Sequence, residues 1–237
     1  MISIETIRKE EKKYHDACYD NYKLFEEGSW LSKPVKTVID LLPLFEEKMN
    51  LHVLDLGSGI GRNSIPIAQA IKERKGKVTC IDLLDSAIDK LMLYSKEYKV
   101  DDVIETIRGD IGDYTIPENK FDWIVAVSSL EHVESEAVLD NVIRQMVLGT
   151  KEDGINCIIA NSEVEEIDID SDEALETFLE VNLQTDEMID KLEAHYDGWE
   201  VISHLVRPLE YHISRNERNI LLKTNAITYV VKKDKEG

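Results

Sequence analysis

Three aspartates and a glycine-rich turn carry the strongest chemical signal in the chain. The first lies in Val53-Leu54-Asp55-Leu56-Gly57-Ser58-Gly59-Ile60-Gly61-Arg62-Asn63, where an apolar stretch ends in a carboxylate and runs straight into three glycines. Glycines at such a turn let the backbone approach a ligand with no Cβ in the way. The second, Asp82, ends the next apolar stretch about 20 residues beyond Gly61, the separation at which a carboxylate accepts hydrogen bonds from ribose hydroxyls. The third, Asp110, ends a further stretch in Arg108-Gly109-Asp110-Ile111 and suits an adenine amino group, which donates hydrogen bonds. Leu83, Leu84 and Ile111 are apolar neighbours able to sandwich the ring. Singly, each aspartate reads equally well as a helix cap and each apolar residue as core. Together they describe a nucleoside site.

Arg62 discriminates among nucleosides. A dinucleotide fingerprint needs a third glycine where Arg62 stands, and the P-loop lysine is missing. Asp55, just before the turn, disfavours phosphate and suits a ligand with a positive ammonium or sulfonium. That chemistry points to S-adenosylmethionine as the cofactor.

Other residues could complete a transfer reaction. His132, in Ser128-Ser129-Leu130-Glu131-His132, and His212 are candidate general bases, needed only if an acceptor must lose a proton. Each also reads as an ordinary structural histidine. Trp30 and Tyr14 offer aromatic faces that attract a sulfonium, an effect of roughly 0.5–2 kcal/mol, although core packing is the commoner role. Arg207, Arg215 and Arg218 are the cations nearest the expected acceptor side and suit an anionic acceptor; in so acidic a chain, surface arginines are the plainer explanation.

The elements that must position these groups alternate between strand-length apolar runs and longer helical segments, the pattern of βα units on a parallel sheet. Strands are expected at Leu51–Leu56, Lys77–Asp82, Val103–Arg108, Phe121–Val127, Gly154–Ala160, Trp199–Val206 and Ile220–Val231, giving a doubly wound, mostly parallel seven-stranded sheet. Helices are expected at Ile4–Glu26, Val35–Met49, Asn63–Glu73, Asp85–Tyr98, Glu134–Leu148 and Glu187–Tyr196, with Asn63 as an N-cap. Asn161–Thr185 is densely acidic and reads as a solvated connection, placed where a lid would sit. A single domain is expected: residues 1–50 as a helical cap, 51–160 as the cofactor core, and 161–237 as the acceptor side.

Composition narrows the class. The 237 residues are 43% hydrophobic and 32% charged, a globular balance. A net charge of -20 makes nucleic acid an improbable partner. No apolar run is long enough for a bilayer and the charged N-terminus lacks a signal peptide's apolar core, so a cytoplasmic protein with a small-molecule acceptor is expected. Cys18, Cys80 and Cys157 are too scattered for a disulfide framework or a zinc site; they read as small buried hydrophobes, and no metal is expected.

From Leu51 to about Ala160 the chain resembles the class I S-adenosylmethionine-dependent methyltransferases, through VLDLGSGIGRN, CIDLLDSAIDKL, RGDI and FDWIVAVSSLEHV. The resemblance implies a Rossmann-like fold with an N-terminal helical extension. It also implies that Asp55 with Gly57, Ser58, Gly59, Gly61, Arg62 and Asn63 hold the amino acid part of the cofactor. Asp82 would hold the ribose, Asp110 with Ile111 the adenine, and Ser128 would lie beside the methionine. GRNS at Gly61–Ser64, the stretch from His195 to Glu200 and LEYH at Leu209–His212 are similar to the tellurite-resistance methyltransferases. Ile213 stands where that family has arginine, and the acidic 161–185 segment replaces a phenylalanine-rich one, so a tellurite acceptor does not carry over. A nicotinamide oxidoreductase and a non-catalytic cofactor-binding module remain the competing functions, and Arg62 counts against the former.

Overall fold

The structure, a computed structural model, describes residues 2–215 and 218–234. Its centre is β1 (His52–Leu56), hydrogen-bonded in parallel to β2 (Lys77–Asp82) on one side and to β4 (Phe121–Val127) on the other. Outside β2 lies β3 (Ile104–Arg108), and outside β4 lies β5 (Thr150–Asp168), both parallel to their neighbours. Two antiparallel pairings, β5 with β8 (Arg218–Lys232) and β8 with β7 (Glu200–Arg215), complete the order β3-β2-β1-β4-β5-β8-β7. A short β6 (Glu173–Leu175) pairs with β5 off this path, so the sheet has eight strands, one more than the sequence pattern gave.

The central strands are apolar almost throughout because helices cover both faces. The helices α3 (Ser64–Ile71), α4 (Asp85–Glu97), α5 (Glu136–Gly149) and α6 (Thr185–His195) supply that cover; α1 (Ile4–Asn21) and α2 (Lys36–Leu41) form the N-terminal part. One core gathers Val53, Ile65, Ala68, Cys80, Leu91 and Trp123; the other gathers Leu54, Ile81, Ile124, Leu139, Ile143 and Ile158. Adjacent residues of β1 and β2 thus point to opposite faces, as period-two side chains must. Cys18, Cys80 and Cys157 are buried and unpaired, as expected.

Three departures from the expected elements matter for the site. The first helix stops at Asn21, where Tyr22 turns extended, and the second ends at Leu41, giving way to a 3-10 turn over Leu42–Phe45 that contains Pro43. β5 does not stop at Ala160. It runs to Asp168, because Ser162, Val164, Glu166 and Asp168 alternate inward and each finds burial or a partner, so the first part of the expected acidic connection is strand. β7 continues through Pro208 to Arg215, which is tolerated because β7 is the sheet's edge and a missing N–H there faces outward.

Candidate active site

The strand order reverses between β1 and β4, each starting from β1's two sides, and ligands of doubly wound sheets bind at such a switch point, at the carboxyl ends of the strands. The glycine turn sits there. Gly57 has φ +75°, and a Cβ on it would fall 2.4 Å from the Cβ of Ser129, two residues past the end of β4. Gly59 has φ +53°; its N–H donates to Asp82 Oδ2 at 2.7 Å, and a Cβ there would meet the Tyr19 hydroxyl of α1 at 3.2 Å. Backbone, carboxylate and cap therefore meet at one point.

The three aspartates end three adjacent strands. Asp55 is fully buried on β1 and accepts a short hydrogen bond from Ser64 Oγ. Burial pushes its carboxyl up to about 7, against the Ser64 hydrogen bond and with the help of the Asp82 charge. Asp82 at the end of β2 is also raised by burial, although it accepts N–H groups from Leu84 at 2.9 Å and from Gly59. Asp110, just past β3, accepts the Gly112 N–H at 2.8 Å and an Arg8 Nη2–H at 2.6 Å. Each oxygen so engaged keeps a further lone pair for a ligand.

The other expected cofactor residues separate into groups. Leu83 is 42% exposed, Ile111 is buried against the second core, and Leu84 is partly buried against the first. Arg62 and Asn63 face away from the turn: Arg62 Nε donates to the Lys33 carbonyl at 2.5 Å with its guanidinium 5.5 Å over Trp30, and Asn63 Oδ1 accepts the Val35 N–H at 3.0 Å. Asn63 precedes α3 but makes no side-chain cap, contrary to expectation. These two residues fasten residues 33–35 over the site. Ser128 adopts φ +49°, a left-handed conformation that a non-glycine residue holds only when its surroundings impose it, and its N–H donates to Ile159 at 2.7 Å.

Helix α1 covers the carboxyl edge. Trp30 and Tyr14, the expected cap residues, join Tyr19 around His15, with ring centroids at 6.0, 5.4 and 5.6 Å from the imidazole. His15, which burial holds below its ordinary pKa, was not singled out from the sequence; nor were Arg8, Glu11 and Glu180. Arg8, Glu11, His15 and Tyr19 recur at helical spacings of three and four, a polar stripe along one face that was available in the sequence.

His132 lies in the 3-10 turn after β4. Its Nδ1 is 2.9 Å from Glu11 Oε2 and 3.1 Å from Glu180 Oε2. Burial works against charging His132, yet the two carboxylates carry its pKa well above the ordinary value. Its neighbour Glu131 is fully buried; Oε1 accepts from the Asn161 backbone and amide at 3.0 and 2.6 Å, and burial raises its pKa.

The acceptor-side expectations fare unevenly. Arg215 donates to both oxygens of buried Glu166, at 2.6 and 2.7 Å, and lies over the Phe178 ring at 4.6 Å, so its charge is already engaged. Arg218 is 3.6 Å from Asp168, and Arg207 is exposed on β7. His212 is exposed beside Ile169, Ile213 and Asn219, while the preceding Tyr211 acts electrostatically on Tyr14 and Arg62 in the cap. Alternation along β7 places the Tyr211 and His212 side chains on opposite faces of the strand.

Buried polar atoms without a hydrogen-bond partner test the fit to an adenosyl sulfonium ligand. Among the described residues there are six such atoms: Ser58 Oγ, Ser129 Oγ, His15 Nδ1, Glu131 Oε2 and Arg8 Nε belong to the glycine turn, the β4 turn or the cap, and Trp123 Nε1 lies within β4. Buried polar atoms are normally satisfied, so their gathering here fits a polar ligand. Residues 53–154 match the family described as methyltransferase domain. Over these residues the chain is similar to methyltransferases. Curated relatives include a sterol 24-C-methyltransferase of Gibberella zeae, 24% identical over 100 residues, 42% of this chain and 26% of that protein. Carboxy-S-adenosyl-L-methionine synthase of Salmonella paratyphi B is 26% identical over 110 residues, 44% of each. The chain spans less than half the length of these relatives. Among solved structures, TehB from Haemophilus influenzae has a TM-score of 0.60 at 22% identity, over 82% of this chain and 62% of that one. A Haemonchus contortus phosphoethanolamine N-methyltransferase, in complex with phosphomonomethylethanolamine and S-adenosylhomocysteine, has a TM-score of 0.64 at 14% identity, over 99% and 61%. These likenesses bear out the Rossmann-like methyltransferase fold.

Proposed function

We propose that the chain acts as a single-domain, cytoplasmic S-adenosylmethionine-dependent methyltransferase on a small-molecule acceptor, by in-line transfer. The observation that carries this is the placing of Asp55, Asp82 and Asp110 at the ends of three neighbouring strands, with Asp82 bound to the glycine turn through the Gly59 N–H. Asp82 binds the ribose hydroxyls; Asp110, Ile111 and Leu83 bind the adenine; Gly57, Ser58, Ser128 and Ser129 line the methionine; Arg62 and Asn63 hold the cap in place. When bound, S-adenosylmethionine supplies an electrophilic methyl group on a sulfonium. The chain's contribution is position and dryness: α1 with Tyr14, His15, Tyr19 and Trp30 covers the edge, keeps water out and presents aromatic faces to positive charge. Holding an acceptor lone pair in line with the breaking bond accounts for most of the rate, because the sulfonium is already a good leaving group.

Calorimetry with S-adenosylmethionine and S-adenosylhomocysteine tests the site directly. Stoichiometric binding of both, reduced at least tenfold in Asp82→Ala, is expected. Incubation with a panel of small amines, thiols and hydroxyl compounds, followed for S-adenosylhomocysteine, then tests turnover. Absence of binding to either compound overturns the proposal; binding without turnover on any acceptor supports a non-catalytic module.

A further inference from the structure

We propose that Glu11, His132 and Glu180 form a binding site for a divalent transition-metal cation at the mouth of the cleft. Their ligand atoms lie within 4.8 Å of one another, although they come from α1, the turn after β4 and the 176–184 segment. No local spacing links the three residues, so only the fold brings them together.

The geometry is poorly explained by hydrogen bonding alone. Two carboxylate oxygens from separate segments converge on a single nitrogen, His132 Nδ1, at 2.9 and 3.1 Å. An imidazole nitrogen carries at most one proton, so it can make one good hydrogen bond, not two. A cation between the three atoms satisfies all of them. Arg8 does not compete for the point, since it approaches Glu180 through Oε1, at 3.6 Å, whereas Oε2 faces His132.

The donor set selects the ion. One imidazole and two carboxylates suit Mn²⁺, Fe²⁺ or Zn²⁺ better than thiophilic ions or calcium, which prefers an all-oxygen shell. Glu11 and His132 side chains are 24% and 27% exposed, so an ion can enter from solvent, and three protein ligands leave positions open for oxygen donors. Bound there, the ion ties the cap helix to the β4 turn and to the 176–184 segment. Its further role, orienting an acceptor with oxygen ligands, rests on the methyltransferase reading; binding of the ion itself does not.

Mn²⁺ is the probe. The protein is stripped with chelator, dialysed and titrated with Mn²⁺ while the free ion is followed by electron paramagnetic resonance. One ion per chain is expected, with affinity lowered about tenfold or more in Glu11→Gln and in Glu180→Gln. Pulsed measurements on the wild type should show a single ¹⁴N coupling from His132, a readout that stands even if a variant fails to fold. No stoichiometric uptake by the folded wild type, absence of the nitrogen coupling, or affinity unchanged in both folded variants overturns the site. So does stabilisation by ethanolamine or choline that is lost in Glu180→Gln while Mn²⁺ does not bind, which assigns the point to an organic ammonium. Parallel calorimetry with S-adenosylhomocysteine in chelator separates failure here from failure of the methyltransferase reading.

Discussion

Arg8 on the cap helix donates to Asp110 at the end of β3 across 2.6 Å, so the carboxylate best placed for the adenine is also the latch for the cap. The pair is partly exposed, and α1 lies over the glycine turn as well, with Lys90 held to the Tyr19 carbonyl at 2.8 Å and Ser86 to Asp16. Cofactor entry is expected to require movement of the cap. Arg8→Met removes one latch and should raise both association and dissociation rates for S-adenosylhomocysteine several-fold, with a small net change in affinity. Stopped-flow tryptophan fluorescence, reporting Trp30 in the cap, checks this; unchanged rates would show that the latch does not gate entry.

Asp55 makes cofactor affinity depend on pH. Its ordinary carboxyl value of 3.8 rises to about 7 in the folded chain because it is buried beside Asp82. A group whose folded value lies above its unfolded one costs nothing below pH 3.8, and its cost grows to a plateau above pH 7, at most about 4 kcal/mol. A positive ligand favours the ionised form. Affinity for S-adenosylmethionine should thus increase from pH 6 to pH 8 with release of a proton, measurable by calorimetry in buffers of different ionisation enthalpy. Asp55→Asn should flatten that dependence and make the ligand-free protein more stable than wild type at pH 8 but not near pH 4.

The cofactor half of the site was legible because its signals are local. A strand, a carboxylate and a glycine turn are contiguous, and Asp82 and Asp110 end strands whose apolar runs stand out. What lay hidden depends on distant segments. Glu180 meets His132 and Glu11 only because α1 crosses the carboxyl edge and residues 176–184 return to it, the Val181 N–H reaching the Glu131 carbonyl at 3.0 Å. The acidic run past Asn161 was misjudged for a different reason. Its carboxylates suggested solvent, but Glu166 is neutralised by Arg215, which arrives from β7. No window around Glu166 contains that partner. The direction of the Arg62 and Asn63 side chains is set by residues 30–35, which the motif does not include.

Tyr211 and His212 offer a contrast on one strand. Alternation puts their side chains on opposite faces: His212 lines a surface hollow with Ile169, Ile213 and Asn219, and Tyr211 acts electrostatically on Arg62 and Tyr14. His212→Ala should keep wild-type turnover, whereas Tyr211→Ala should raise KM for the acceptor or slow closure of the cap. Steady-state kinetics with the first acceptor found settles the order; a large loss of kcat in His212→Ala alone would reinstate the histidine.

Arg215 should report on stability before it reports on substrate. Glu166 is buried with a side chain 2% exposed, and the paired guanidinium is its main compensation. Removing one partner of such a pair leaves an uncompensated charge in a low-dielectric setting, a cost of about 3–5 kcal/mol, while replacing both by neutral groups is far milder. Arg215→Met should therefore lower the unfolding free energy by roughly that amount in urea melts, and Glu166→Gln combined with Arg215→Met should recover much of it. The double variant also isolates the acceptor question, since it restores the fold without the cation. If Arg215 binds an anionic acceptor, KM for that acceptor stays high in the double variant; if its work is to neutralise Glu166, KM returns to the wild-type value along with stability.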